Sequence, residues 1–197
     1  AEMIRAFLAV ELSQELRAEL AVVQQELKRR IEPKMKQDRR ISWVRPASIH
    51  LTLKFLGDMD EQVIDPLLVA VEQTIGSQIP VNVPLERFGA FPRPQSPRAL
   101  WVGPSENWER GVEAKRVAEI HGAIEQACES LRFHRETKPF SPHLTLARIK
   151  MGERQVGVAL AKSGVLDRPL SMGSLAVKSI VLMKSELKPA GSVYTRL

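Results

Sequence analysis

The chain has 197 residues, 44% hydrophobic and 26% charged, a composition that excludes a disordered chain. At roughly 150 residues per domain, its length suits one domain, or two small lobes sharing a core, over residues 1–197. With 29 Lys and Arg against 23 Asp and Glu, the net charge is +6 and the pI near 9.7, which suits a polyanionic partner and serves solubility equally well.

Ile4 to Val10 reads as a buried strand, and its interruption by Arg5 and end at Glu11 argue against a signal peptide. Ser13 is placed to cap a helix to about Arg30, with Leu16, Leu20, Val23, Leu27 and Ile31 on one stripe. A basic loop, Lys34 to Arg40, precedes a short strand at Trp43 and Val44 that Pro46 stops. Ile49 to Leu56 predicts a strand ended by Gly57-Asp58, and Glu61 to Ile75 a helix. Val81 to Phe91 and Arg98 to Val102 predict two strands around the turn Pro92 to Pro97. A long helix follows from about Glu106 to Leu131, with Val117, Ile120, Ile124, Ala127 and Leu131 inward and Cys128 filling the core beside them. After the basic loop Arg132 to Lys138 come a strand at His143 to Ile149 and a helix at Glu153 to Lys162. Closing strands are expected at Leu175 to Met183 and Val193 to Leu197. This order argues an α+β fold with antiparallel sheets.

Cys128, the one cysteine, excludes an internal disulfide and a cysteine-based zinc site, and no apolar run approaches the roughly 18 residues of a membrane span. These features favour a reducing, cytoplasmic setting. No Walker or dinucleotide fingerprint is present.

An internal repeat carries the chemistry. Ser48-Ile49-His50-Leu51-Thr52-Leu53 recurs as Ser141-Pro142-His143-Leu144-Thr145-Leu146, identical at five of six positions and 143 − 50 = 93 residues apart. In a strand, His50 and Thr52 share one face, as do His143 and Thr145. Imidazole exchanges protons near neutral pH, and threonine hydroxyls donate hydrogen bonds to phosphoryl oxygens. A lone His-x-Thr reads more readily as an ordinary half-buried strand, and its recurrence in near-identical hexapeptides reverses that. Two copies facing across a cleft supply an acid, a base and two hydroxyls around one phosphorus.

These motifs resemble the two-histidine phosphoesterase superfamily, and within it the RNA 2′,3′-cyclic phosphodiesterases, also called the LigT-like or 2′-5′ RNA ligase family. The resemblance rests on Arg5-Ala6-Phe7-Leu8-Ala9-Val10, on Trp43-Val44 with His50 to Gly57, on Ala99 to Gly103, on Phe140 to Arg148, and on Ser185-Glu186-Leu187 with Gly191 to Tyr194. It implies a bilobal α+β fold, two pseudo-symmetric antiparallel sheets with flanking helices around a central cleft. It also implies hydrolysis of an RNA-terminal 2′,3′-cyclic phosphate to a 2′-phosphate without metal or other cofactor, and in some relatives 2′-5′ joining of tRNA halves. By analogy His50 is the acid and His143 the base, Thr52 and Thr145 hold the non-bridging oxygens, Arg148 binds phosphate and Phe55 stacks on the terminal base. The expected partner is RNA with a 2′,3′-cyclic phosphate end, tRNA fragments included, and the chain is expected to be a monomer off the membrane.

Strict alternation puts Phe55 and Arg148, each five residues past its histidine, on the wrong face, so both need a bulge or a strand end to reach the cleft. Phe55 reads equally as a core aromatic, and a surface charge is the lesser reading of Arg148. His121 and His134 lie outside the repeat and read as surface residues. Arg87, Arg93, Arg98, Arg132, Arg135 and Lys138 read either as a basic cleft rim for RNA or as solvated loops. The rival readings are a metal-dependent hydrolase, disfavoured because neither motif has a neighbouring carboxylate; a binding module without catalysis; and a phosphodiesterase of small cyclic nucleotides or 2′-5′ oligonucleotides.

Overall fold

The computed structural model describes residues 2–35 and 40–197, so residues 36–39 of the expected basic loop lie outside the described residues. Among the described residues, ten strands and five α-helices follow the chain as β1 (Met3–Val10), α1 (Gln14–Ile31), β2 (Arg40–Trp43), β3 (Leu51–Asp60), α2 (Ile64–Ile75), β4 (Val81–Pro84), β5 (Arg87–Phe91), β6 (Ala99–Gly103), α3 (Glu106–Glu109), α4 (Val112–Ser130), β7 (Leu144–Met151), α5 (Glu153–Ser163), β8 (Ser174–Val177), β9 (Val181–Lys188) and β10 (Gly191–Arg196). The α+β class with antiparallel sheets is as expected.

The large sheet runs β10-β9-β1-β3-β7-β6-β5, with β2 also paired to β7, and β4 and β8 form a separate two-stranded sheet. The two halves of the large sheet meet at a single register pair, Leu51 opposite Leu144. The two His-x-Thr copies therefore enter neighbouring strands at the seam of the fold.

Ser13 caps α1 by accepting from the Leu16 amide at 3.1 Å, and the helix buries Leu16, Leu20, Leu27 and Ile31. Ile124 on α4 and Leu67 on α2 are fully buried in the same core as Leu51, Leu144 and Leu146 on the strands. Each such side chain contributes roughly 1.5–3 kcal/mol on burial.

The boundaries differ from the periodicity reading where chemistry interrupts a pattern. β3 does not stop at Gly57 but runs to Asp60, because Gly57 takes a φ of +69° within the strand. The stretch Val81 to Phe91 divides between the two sheets, and Leu175 to Met183 divides likewise into β8 and β9. The helix expected from Glu106 breaks after α3, and Gly111 caps α4 in an extended conformation. Arg40, expected in the loop, belongs to β2.

Trp101 on β6 lies against Gly89 on β5, where any Cβ would strike the indole ring, and the same indole sits 6.0 Å from the His143 ring. Gly89→Ala should therefore overpack this contact and cost about 1–3 kcal/mol, read as a lower melting temperature. A melting temperature equal to the parent's would show that the indole has room to move.

Candidate active site

Both histidines precede their strands by one residue, and the backbone holds them identically. The Nδ1–H of His50 donates to the Ser48 carbonyl at 2.9 Å, and that of His143 to the Ser141 carbonyl at 2.8 Å. A carbonyl only accepts, so the proton of each neutral ring sits on Nδ1 and Nε2 keeps its lone pair. Aromatic edges fix each ring further. His50 meets Phe7 and Tyr194 at 6.0 and 5.6 Å, and His143 meets Phe91 at 4.9 Å.

The strand geometry resolves the parity difficulty of Phe55 and Arg148. On β3, Leu8 pairs with Lys54 and Ala9 with Thr52, so Leu53 is an extra residue. On β7, Leu100 pairs with Ala147 and Trp101 with Thr145, so Leu146 is the extra residue. In both copies the bulge falls on the leucine after the threonine. Leu53 and Lys54 both turn inward, as do Leu146 and Ala147, and Phe55 and Arg148 return to the threonine face.

His50, Thr52, Phe55, Thr145 and Arg148 consequently line two adjoining cavities. The larger, of about 610 Å³, also contains His143, Phe91 and Lys138, and the smaller, of about 180 Å³, adds Arg5, Ser185 and Tyr194. All six residues singled out by the sequence thus border the larger cavity. Phe55 is 71% exposed, so it is no core aromatic.

Burial is the main influence on both imidazoles and lowers both pKa values from 6.5. The carbonyl bonds oppose it, while Arg148 beside His143 lowers that ring further. Around His50 the charges are of both signs, Arg17 lowering and Glu11 raising its pKa. Among the described residues no three His, Cys, Asp or Glu side chains cluster as a metal site.

A model of the family described as LigT like phosphoesterase matches residues 10–101 and 111–194. The chain belongs to that family. This LigT-like phosphoesterase is 32% identical over 192 residues to the RNA 2′,3′-cyclic phosphodiesterase of Methanothermobacter thermautotrophicus, covering 98% of this chain and 95% of that one. It is 33% identical over 197 residues to the RNA 2′,3′-cyclic phosphodiesterase of Thermus thermophilus, covering 98% and 88%. Among solved structures, a Thermus thermophilus protein superposes with a TM-score of 0.68 at 30% identity, covering 98% and 95% of the two chains. Escherichia coli LigT complexed with 3′-AMP has a TM-score of 0.72, covering 100% and 96%, and at 22% identity supports the fold alone.

Other residues fall differently from the sequence reading. His121, expected on the surface, is buried: its Nε2–H donates to the Leu53 carbonyl at 3.0 Å, and its ring stacks on Phe140 at 4.3 Å. His134 is exposed as expected. Of the basic rim, Lys138 lines the cavity, whereas Arg87 is held by the Pro104 carbonyl at 2.8 Å and Arg135 by Glu129 at 3.2 Å. Sequence reasoning missed the buried pair Lys54–Glu125, 2.7 Å apart, and the buried Gln24. Gln24 and Glu125 sit at the helical phase of the core, whereas Lys54 turns inward only through the bulge at Leu53, and the fold alone reveals their partners.

The shared anchoring of the imidazoles predicts a specific titration. By NMR, His50 and His143 should both titrate below 6.5, with the neutral forms protonated at Nδ1. Nε2-protonated neutral rings would contradict the carbonyl anchors.

Proposed function

We propose that this chain hydrolyses the 2′,3′-cyclic phosphate at the end of an RNA to a 2′-phosphate, by metal-independent acid–base catalysis between its two histidines. The observation that carries this reading is the convergence of both His-x-Thr copies, Phe55 and Arg148 on one cavity. The curated relatives' names give the substrate class.

In this reading a water molecule attacks phosphorus in line with the 3′-oxygen. The neutral imidazole of His143 takes the water's proton at Nε2. The imidazolium of His50 gives its Nε2 proton to the 3′-oxygen as the P–O3′ bond breaks, leaving the 2′-phosphate. Proton exchange with solvent then resets the pair. Arg148 next to His143 favours the neutral ring a base needs, and Glu11 near His50 partly offsets the influences that strip its proton. Thr52 and Thr145 donate to the non-bridging oxygens, where charge grows in the transition state. Arg148 adds a guanidinium fork to the phosphate, and Phe55 a stacking face for the terminal base.

The same reading places the protein in the cytoplasm as a monomeric, two-lobed unit, with tRNA fragments among its RNA ends and 2′-5′ ligation as a side reaction. The buried Cys128, its thiol pushed up to about 11 by burial, suits a reducing setting. Among the described residues no helix is long and apolar enough to cross a membrane.

Turnover of a nucleoside 2′,3′-cyclic phosphate should persist in excess EDTA and yield only the 2′-phosphate. Activity that returns only with added zinc, manganese or magnesium would exclude the two-histidine mechanism. His50→Ala and His143→Ala should each lose about 10²–10⁴-fold in kcat, and Thr52→Ala and Thr145→Ala about ten- to a thousandfold.

The acid must be protonated and the base neutral, so kcat/KM against pH should be bell-shaped, each limb belonging to the coupled pair. Both pKa values lie below 6.5 in the free enzyme, so the acid loses its proton as pH rises toward that value and the base gains one as pH falls. The maximum should therefore lie below pH 6.5. A maximum on the alkaline side would contradict the burial-driven shifts.

A further inference from the structure

Each of the two bulges is held by a polar side chain from a helix behind the sheet. A bulge disrupts the ladder locally, and the buried backbone groups around it need partners that hold them in place. Leu53 is 7% exposed and Leu146 0%. On β3, His121 of α4 supplies the donor, Nε2–H to the Leu53 carbonyl at 3.0 Å. On β7 the Leu146 carbonyl accepts from the Val44 amide at 2.9 Å, and Gln24 of α1 adds a second donor, Nε2–H at 3.0 Å, while also holding the Val44 carbonyl at 2.7 Å, so that it ties the bulge to the neighbouring chain. Each donor comes from a long helix packed behind the sheet: Gln24 is buried on the leucine stripe of α1, and His121 on the buried face of α4 that also carries Glu125.

The first bulge is fastened a second time. Because Leu53 and Lys54 both turn inward, the Lys54 ammonium is buried, and it donates to both Glu125 oxygens at 2.7 and 3.1 Å and to the His134 carbonyl at 2.7 Å. Glu125 in turn accepts from the Glu136 amide at 3.0 Å. At the equivalent place in the second copy stands Ala147, which needs no partner.

We propose that Gln24 and His121 are positioning residues, which hold the two bulges so that Arg148 and Phe55 point into the cleft. The inference rests on the phosphodiesterase reading, through the roles given there to Arg148 and Phe55. A strand that regularised by one residue would carry its following side chain to the opposite face. Arg148 would then leave the phosphate, and Phe55 the base. Gln24 lines neither cavity, so it acts only through the strand. His121 forms part of the inner cavity wall, yet its ring nitrogen is committed to Leu53.

Two double-mutant cycles test this, with kcat and KM measured on a nucleoside 2′,3′-cyclic phosphate and the melting temperature alongside. Gln24→Met should lower kcat/KM by about tenfold or more when Arg148 is present, but by less than about twofold in an Arg148→Ala background. His121→Leu should behave likewise against Phe55→Ala, with the loss in KM rather than kcat, because a stacking platform grips ground and transition states alike. Gln24→His and His121→Gln keep an N–H near the original position and should stay within about threefold of the parent. Where a donorless variant does not fold, Gln24→Asn and His121→Asn, polar but too short to reach the carbonyls, take its place in the cycle. Equal losses in both backgrounds, or equal losses in donor-keeping and donorless variants, would overturn the positioning role and leave the phosphodiesterase reading standing. If Arg148→Ala and Phe55→Ala themselves cost nothing, the roles those residues have in the reaction fail instead.

Discussion

An extra residue at the same place in each of two adjacent strands, the leucine after the threonine, is the constraint on which the site depends. In an unbroken strand a side chain five residues past a histidine faces away from it. The extra leucines, Leu53 and Leu146, change that parity, so one short stretch of chain presents a histidine, a hydroxyl and then a third group to the same cavity. The third group differs between copies: Phe55 in the first and Arg148 in the second. A symmetric scaffold thereby presents an aromatic face and a guanidinium to the same cavity. The leucines also occupy the fold's interior, so the residue that bends the strand is the one that anchors it.

The symmetry extends to the imidazoles and stops there. Identical carbonyl anchors two residues upstream set the same tautomer in both rings. Their surroundings then divide them. His143 sits in an aromatic pocket of Phe91 and Trp101 with Arg148 as its charged neighbour, and His50 sits against Phe7 and Tyr194 with charges of both signs nearby. Burial lowers the pKa of both rings, while the charges beside them differ, Arg148 at His143 and the pair Arg17 and Glu11 at His50.

Much of this was visible in the sequence because it is local. The repeat placed both histidines and both threonines, the stripe after Ser13 placed α1, and the periodicity at Val117 to Ala127 placed α4. What stayed hidden depends on partners distant in the chain. The parity of Phe55 and Arg148 required a bulge, and Leu-Thr-Leu reads as plain alternation until its neighbouring strands are known. His121 read as a surface residue because nothing in α4 announces that its partner is a carbonyl 68 positions earlier. Gln24 sits beside Val23 on the helix, and by polarity alone the valine is the one to bury, whereas the fold needed an amide there. Lys54 and Glu125 are ordinary charges in sequence and become a buried pair only when β3 turns both Leu53 and Lys54 inward. The break before α4 was missed because Gly111 is one glycine in an otherwise helical pattern, and such glycines are often tolerated.

The central claim is that both motifs, with their bulged strands, surround a single phosphorus. A crystal structure with a nucleoside 2′,3′-cyclic vanadate, which mimics the five-coordinate phosphorus of the displacement, tests it most directly. The account predicts vanadium between the Nε2 atoms of His50 and His143, equatorial oxygens held by Thr52, Thr145 and Arg148, and the base stacked on Phe55. Vanadate bound away from either histidine, or with only one motif in contact, would contradict it.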